Sequence, residues 1–329
     1  MTQDLETFEV EVAAAELAAR DIRLITLTAP GGGSLPGFTP GAHLSLRVPP
    51  GEGREAELWR AYSLIGTGGE TGGPQKAWRI GVLREEAGRG GSRFMHDEVS
   101  VGDRLTLRLP PNGFALDETG ETPVLLAGGI GITPLIPMAR CLRALGKPAE
   151  LHYTCRSADQ HILLDELFAR HGSGLYIYAD DDPHRRFDLD RFLGALTPGR
   201  PIYVCGPAGL IDALRDKARV LGWPDSAIHF ELFADAAPAD DAEAFEVELA
   251  GSGEVLQVPA DKSLLDVLME AGHFVMQDCR QGHCGLCTLR VRSGEILHND
   301  IYLTDDQKAS GKEMQGCVSR GRGRLVLEL

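Results

Sequence analysis

Nine residues, Cys279-Arg280-Gln281-Gly282-His283-Cys284-Gly285-Leu286-Cys287, carry the most specific chemistry in the chain. Three thiols at Cys-x4-Cys-x2-Cys spacing, with Cys317 further on, can aim four thiolates at one centre, and this is the spacing that holds a 2Fe–2S cluster. Gly282 and Gly285 suit a loop that needs unusual backbone angles and N–H groups close to sulfur. Structural zinc also takes four cysteines, but as two separated Cys-x2-Cys pairs, and only Cys284 and Cys287 form one. Disulfides need an oxidising compartment, whereas the opening Met-Thr-Gln-Asp-Leu-Glu has no basic start, apolar core or small-residue cleavage site. A cytoplasmic protein is expected. Cys141 and Cys155 read as small buried thiols.

Three weaker patterns precede this loop. Arg60-Ala61-Tyr62-Ser63 opens an apolar strand, so a cation, a flat ring and a hydroxyl alternate along it. Such a strand can hold a phosphate, a ring face and a ring edge. Gly88-Arg89-Gly90-Gly91-Ser92 adds backbone N–H groups for an anion. Gly128-Gly129-Ile130-Gly131-Ile132-Thr133-Pro134 follows the apolar run Pro123–Ala127 and precedes a helical stretch, with Pro134 at its expected first position. A strand, a small turn and a helix let a pyrophosphate approach backbone N–H groups, although Gly-x-Gly-x-x-Gly itself is absent. Cys205-Gly206-Pro207 lies at the expected carboxyl end of a later strand, where open α/β sheets bind ligands.

The elements that must position these residues fall into three groups. Up to residue 113 the chain reads as short alternating strands, among them 23–28, 42–48 and 104–109, whose closure predicts a small antiparallel β-barrel. Residues 114–233 alternate apolar strands with helices and predict a doubly wound α/β domain ending at Glu231-Leu232-Phe233. Residues 234–244 are small and acidic and read as a linker. Residues 245–329 begin with two strands and a helix capped by Ser263, followed by the cysteine loop, a helix capped by Thr304, and a closing strand. A length of 329 residues and 43% hydrophobic content support several cores. The net charge of −15 argues against nucleic acid, and no apolar run is long enough to span a membrane.

With these motifs in this order, the chain resembles the phthalate dioxygenase reductase family from end to end, and is similar to vanillate demethylase reductases. The resemblance implies an FMN-binding barrel, an NAD-binding α/β domain and a plant-type ferredoxin domain of β-grasp fold. Arg60 would then face the FMN phosphate with Gly88, Arg89, Gly90, Gly91 and Ser92 completing its site, Tyr62 would lie against the flavin, and Ser63 would bond near its reactive edge. Gly129, Gly131 and Thr133 would bind the nicotinamide nucleotide, Cys205 would lie close to the nicotinamide, and Phe233 would cover the flavin. Cys279, Cys284, Cys287 and Cys317 would ligate the iron. The family favours NADH, and Asp159 could accept the ribose hydroxyls, whereas Arg156 would suit a 2′-phosphate. The implied partner is a terminal oxygenase, of Rieske type, served by a monomer; a haem-thiolate monooxygenase is the alternative. An electron-transfer module without catalysis of its own is the other class.

Overall fold

The computed structural model describes residues 7–52, 54, 57–66, 72–109, 111–171, 174–233, 243–277, 280, 282, 285–300 and 302–329. The chain divides after Phe233 into two compact units.

In the first unit, β1 (Thr7–Ala19), β2 (Ile22–Thr28), β3 (His43–Val48), β4 (Leu58–Ser63), β5 (Ala77–Leu83) and β6 (Arg104–Arg108) form one sheet in the order β4-β3-β6-β1-β2-β5. All of its ladders are antiparallel. Alternate residues such as Val10, Val12, Leu44, Leu46 and Val48 are buried on one face, and Trp78 and Ile80 complete that core. Beyond the ends of β4, a backbone bond from Ile65 N–H to the Arg79 carbonyl (2.8 Å) reaches β5. Among the described residues no ladder joins β4 to β5. Two local expectations shift. β4 starts at Leu58 and ends at Ser63, because pairing with β3 runs from Val48–Leu58 to His43–Ser63. The glycine loop is partly helical, since Gly91 begins α1 (Gly91–Asp97).

The second half of this unit is a parallel sheet of β7 (Val124–Gly128), β8 (Glu150–Cys155), β9 (Leu175–Ala179), β10 (Ile202–Gly206) and β11 (Ile228–Leu232), ordered β11-β10-β7-β8-β9. Helices α2 (Ile132–Ala144), α3 (Leu164–His171), α4 (Leu189–Gly194) and α5 (Ala208–Val220) alternate with the strands. That order, with crossover helices between parallel strands, is the doubly wound architecture. Pro134 is the third helical residue instead of the first, because a short 3-10 turn at Gly129–Gly131 leads directly into Ile132. Ile22 and Leu24 of the antiparallel sheet, with Ile65 just beyond β4, share one buried cluster with Leu125, Ile132, Leu135 and Tyr203. Continuous apolar burial is why two sheets make one unit.

The second unit holds β12 (Phe245–Leu249), β13 (Val255–Val258), α6 (Leu264–Glu270), β14 (Thr288–Leu297), α7 (Asp305–Ser310), β15 (Glu313–Gln315) and β16 (Arg320–Leu327). Its sheet runs β13-β12-β16-β14-β15, with the last long strand parallel to the first. Ser263 caps α6 by accepting from Asp266 N–H, and Thr304 forms a capping box with Gln307. Leu264, Leu265 and Leu268 pack onto Val247, Leu249 and Leu325. A hairpin, a helix and a parallel return strand make a β-grasp. Most of the expected linker, residues 234–242, lies outside the described residues.

Candidate active site and electron-transfer centre

The strand β4 presents Arg60 and Tyr62 two residues apart, both half-buried, so pleating puts them on one face. Ser63, the next residue along the strand, is buried. Arg60 Nη1 donates to the Trp59 carbonyl at 3.0 Å. Its stem lies over Gly91, where a Cβ would come within 2.7 Å of Arg60 Cγ. Gly90 has φ 89°, a conformation that favours glycine. Gly88 and Arg89 are exposed, and the Ser92 hydroxyl accepts from Glu85 N–H at 2.9 Å, closing the loop on itself. The lack of a side chain at Gly91 lets the Arg60 side chain lie directly against the loop backbone, and a guanidinium beside glycine backbone fits an anionic group.

The glycine turn after β7 packs backbone to backbone against the end of β10. A Cβ on Gly131 would run into the Cys205 carbonyl, and one on Gly206 would sit 2.9 Å from Gly128 Cα. Gly129 has φ 58° and open space above it. The Thr133 hydroxyl donates to the Ile130 carbonyl at 3.0 Å, and Thr133 Cγ2 lies 3.0 Å from where a Cβ on Gly81 of β5 would stand. Small residues here therefore allow both strand-end approach and contact between the sheets.

Cys205 pairs in register with Glu231 on β11. Its sulfur is 4.0 Å from Glu231 Oε2, and the Ser63 hydroxyl donates to the same oxygen at 3.3 Å. All three residues are buried. Burial, then the nearby Glu231 carboxylate, pushes the Cys205 thiol well above its ordinary pKa, so the sulfur stays protonated. The sequence reading noted Glu231 only as a neighbour of Phe233; nothing in its local pattern marks a carboxylate facing a serine 168 residues away. Phe233 follows the last residue of β11 and is 38% exposed. Asp159 stands apart from this group, bonded by the Ser157 hydroxyl and 3.9 Å from Arg20 Nη1.

A second link between the sheets is ionic. Arg79 of β5 lies 2.8 Å from Glu166 of α3, and Arg140 of α2 holds the same carboxylate. Arg140 Nη1 also donates to the Ile65 carbonyl at 2.7 Å, two residues beyond Ser63. Burial lowers Arg140 to about 10, still charged at neutral pH.

In the second unit, Cys287 and Cys317 are buried, with their sulfurs 3.2 Å apart. Gly316 N–H donates to the Cys287 carbonyl at 3.0 Å, and Gln315 Oε1 lies 3.3 Å from the Cys287 sulfur. Cys279 and Cys284 lie outside the described residues. Gly282 and Gly285 have φ 73° and 74°. A Cβ on Gly282 would strike Val318, and one on Gly285 the Tyr302 ring, so these two glycines lie close against their supports. Those supports are fixed by Asp300, whose buried carboxylate accepts from Leu303 N–H at 2.9 Å and from Ser319 Oγ at 3.0 Å. Two adjacent buried thiols near Gly282 and Gly285 fit a thiolate-held metal group.

A family model for the 2Fe-2S iron-sulfur cluster binding domain matches residues 247–321. The chain is 39% identical to the vanillate O-demethylase oxidoreductase of Pseudomonas sp. (strain HR199), across 98% of this chain and 99% of that protein. It is 37% identical, with a TM-score of 0.73, to a solved phthalate dioxygenase reductase described as a modular structure for electron transfer from pyridine nucleotides to [2Fe-2S], covering 98% of both chains. The chain belongs to the phthalate dioxygenase reductase family. As such it is an oxidoreductase, the reductase component of an oxygenase system, and a terminal oxygenase is its partner. An intact type IV self-sufficient cytochrome P450 monooxygenase is also similar (36% identity, TM-score 0.77), across 98% of this chain and 41% of that one. Among the described residues no helix is long and apolar enough to cross a membrane.

Proposed function

We propose that this reductase oxidises NADH at the junction of its first two sheets and passes the electrons singly, through its 2Fe–2S domain, to a Rieske non-haem iron oxygenase or demethylase. The observation that carries this reading is the meeting of Ser63 and Cys205 on one oxygen of Glu231, since it joins the strand expected to hold the flavin to the strand end expected to hold the nicotinamide. NADH releases two electrons as a hydride while the cluster accepts one at a time, and a bound FMN supplies the chemistry that converts one into the other.

The protein's own work is to bind, align and shield. Arg60 and the segment Gly88, Arg89, Gly90, Gly91 and Ser92 hold the FMN phosphate; Tyr62 packs on the ring and Ser63 bonds its edge. Gly129, Gly131 and Thr133 shape the nucleotide turn, Asp159 bonds the ribose, and Cys205, neutral in its buried setting, packs beside the nicotinamide. Phe233 covers the flavin face until the nicotinamide displaces it. Cys279, Cys284, Cys287 and Cys317 ligate the cluster. The working domains are a closed FMN barrel (1–113), an NAD domain (114–233), a linker (234–244) and a ferredoxin domain (245–329), in a cytoplasmic monomer. The likeness to a self-sufficient cytochrome P450 supports a haem-thiolate partner as the second reading.

Heat-released flavin identifies the cofactor. FMN at one per chain is expected, and stoichiometric FAD would overturn the assignment.

A further inference from the structure

Beneath the glycines of the proposed phosphate site lies a second arginine that no motif marks. Arg54 sits in a tight turn closed by two backbone bonds, Gly51 N–H to the Arg54 carbonyl (3.0 Å) and Arg54 N–H to the Gly51 carbonyl (2.9 Å). A surface turn would ordinarily send such a side chain into water. Here it folds inward, and its side chain is 2% exposed. Nε donates to the Pro49 carbonyl at 3.1 Å, Nη1 is 2.8 Å from Glu98 Oε1 just past the end of α1, and the guanidinium stacks 5.2 Å from the centre of the Phe94 ring. Nη2 is buried with no hydrogen-bond partner among the described residues.

The stem of Arg54 fills the space under Gly90, where a Cβ would come within 2.7 Å of its Cγ, just as the stem of Arg60 fills the space at Gly91. Two arginines thus bear on two consecutive glycines, one from the turn before β4 and one from β4 itself. Glu98 is half-exposed and offsets part of the Arg54 charge, yet a guanidinium with one N–H2 unsatisfied is a costly filler where an apolar side chain would pack as well. A fixed positive charge beneath the segment makes physical sense if the segment faces an anion.

We infer that Arg54 is a positioning residue for the flavin phosphate: it braces Gly90 from below and keeps a buried cation under the bound phosphate. The inference rests on the FMN reading above. It predicts that Arg54 governs the preference for FMN over riboflavin, which differ only in the phosphate.

The test measures dissociation constants of FMN and of riboflavin for the deflavinated full-length protein by quenching of flavin fluorescence. Arg54→Met is expected to weaken FMN about tenfold, the scale of one charge-assisted contact, while changing riboflavin less than about twofold. Arg54→Lys, which keeps the charge but not the fork, falls between. Equal losses for both flavins would reduce Arg54 to a packing residue and overturn the inference, as would an unchanged FMN constant. If Arg54→Met does not fold, Glu98→Gln makes the same comparison: loss of its anionic partner leaves the Arg54 charge unopposed and is expected to tighten FMN alone. Weaker or unchanged FMN there overturns the inference. A wild-type protein with no preference for FMN removes the FMN reading itself, and this inference with it.

Discussion

The Ser63 hydroxyl donates to Glu231 Oε2 over 3.3 Å, tying the last residue of β4 to β11 across two sheets that meet in one apolar core. Cys205 shares that oxygen, so a single buried carboxylate sets where the two sheets' functional ends stand relative to each other. Glu231→Gln keeps the shape but weakens both contacts. Flavin reduction by NADH is expected to slow by about 10- to 100-fold, the rate equivalent of about 1–3 kcal/mol, with bound flavin retained. Anaerobic stopped-flow absorbance measures it, and an unchanged rate would separate Glu231 from hydride transfer.

Phe233→Ala is expected to strengthen nucleotide binding and to narrow the discrimination against NADPH. An aromatic ring over the flavin must move before the nicotinamide can stack, and its removal lowers that cost by about 1 kcal/mol. Unchanged affinities for NADH and NADPH would show that Phe233 does not cover the flavin.

The Arg79–Glu166–Arg140 group is mostly buried, with side chains 18%, 23% and 11% exposed. Glu166→Ala leaves two cations facing each other at the junction. A loss of about 2 kcal/mol is expected, below the full cost of a dry pair because water reaches part of it. Thermal melting checks this, and an unaltered midpoint would mean that the apolar junction suffices.

What could be read from the sequence follows how local each signal is. The cysteine spacing is contiguous and the βα alternation repeats through residues 124–232, so the 2Fe-2S domain and the parallel α/β sheet were legible. Arg54, Glu231 and Glu166 were not, because their roles arise from partners far along the chain. β1 went unnoticed for a related reason. Its alanines favour a helix, yet β2 and β6 pair with it on both sides and hold it extended.

Acid should weaken the first unit through His152. Its ring is stacked on Tyr176 at 4.6 Å, and burial lowers its pKa to about 4 despite the nearby Glu150. Between an unfolded value of 6.5 and about 4 the unfolded chain binds the proton and the folded one does not, so stability falls as pH drops through that window. The full effect is at most about 3 kcal/mol. Urea midpoints at pH 7 and pH 5 should differ less in His152→Gln than in the wild type; equal differences in the two proteins would remove His152 as the cause.

Electron exit through the cluster is tested most directly by stopping the chain at Ala237 and comparing two acceptors. The fragment keeps both sheets of the first unit and the Ser63–Glu231 junction. It is expected to be yellow and to reduce ferricyanide with NADH at close to the full-length rate, while its reduction of cytochrome c and of the terminal oxygenase falls to a small fraction. A fragment that reduced cytochrome c as fast as the intact protein would contradict the account, because the electrons would then leave without the cluster.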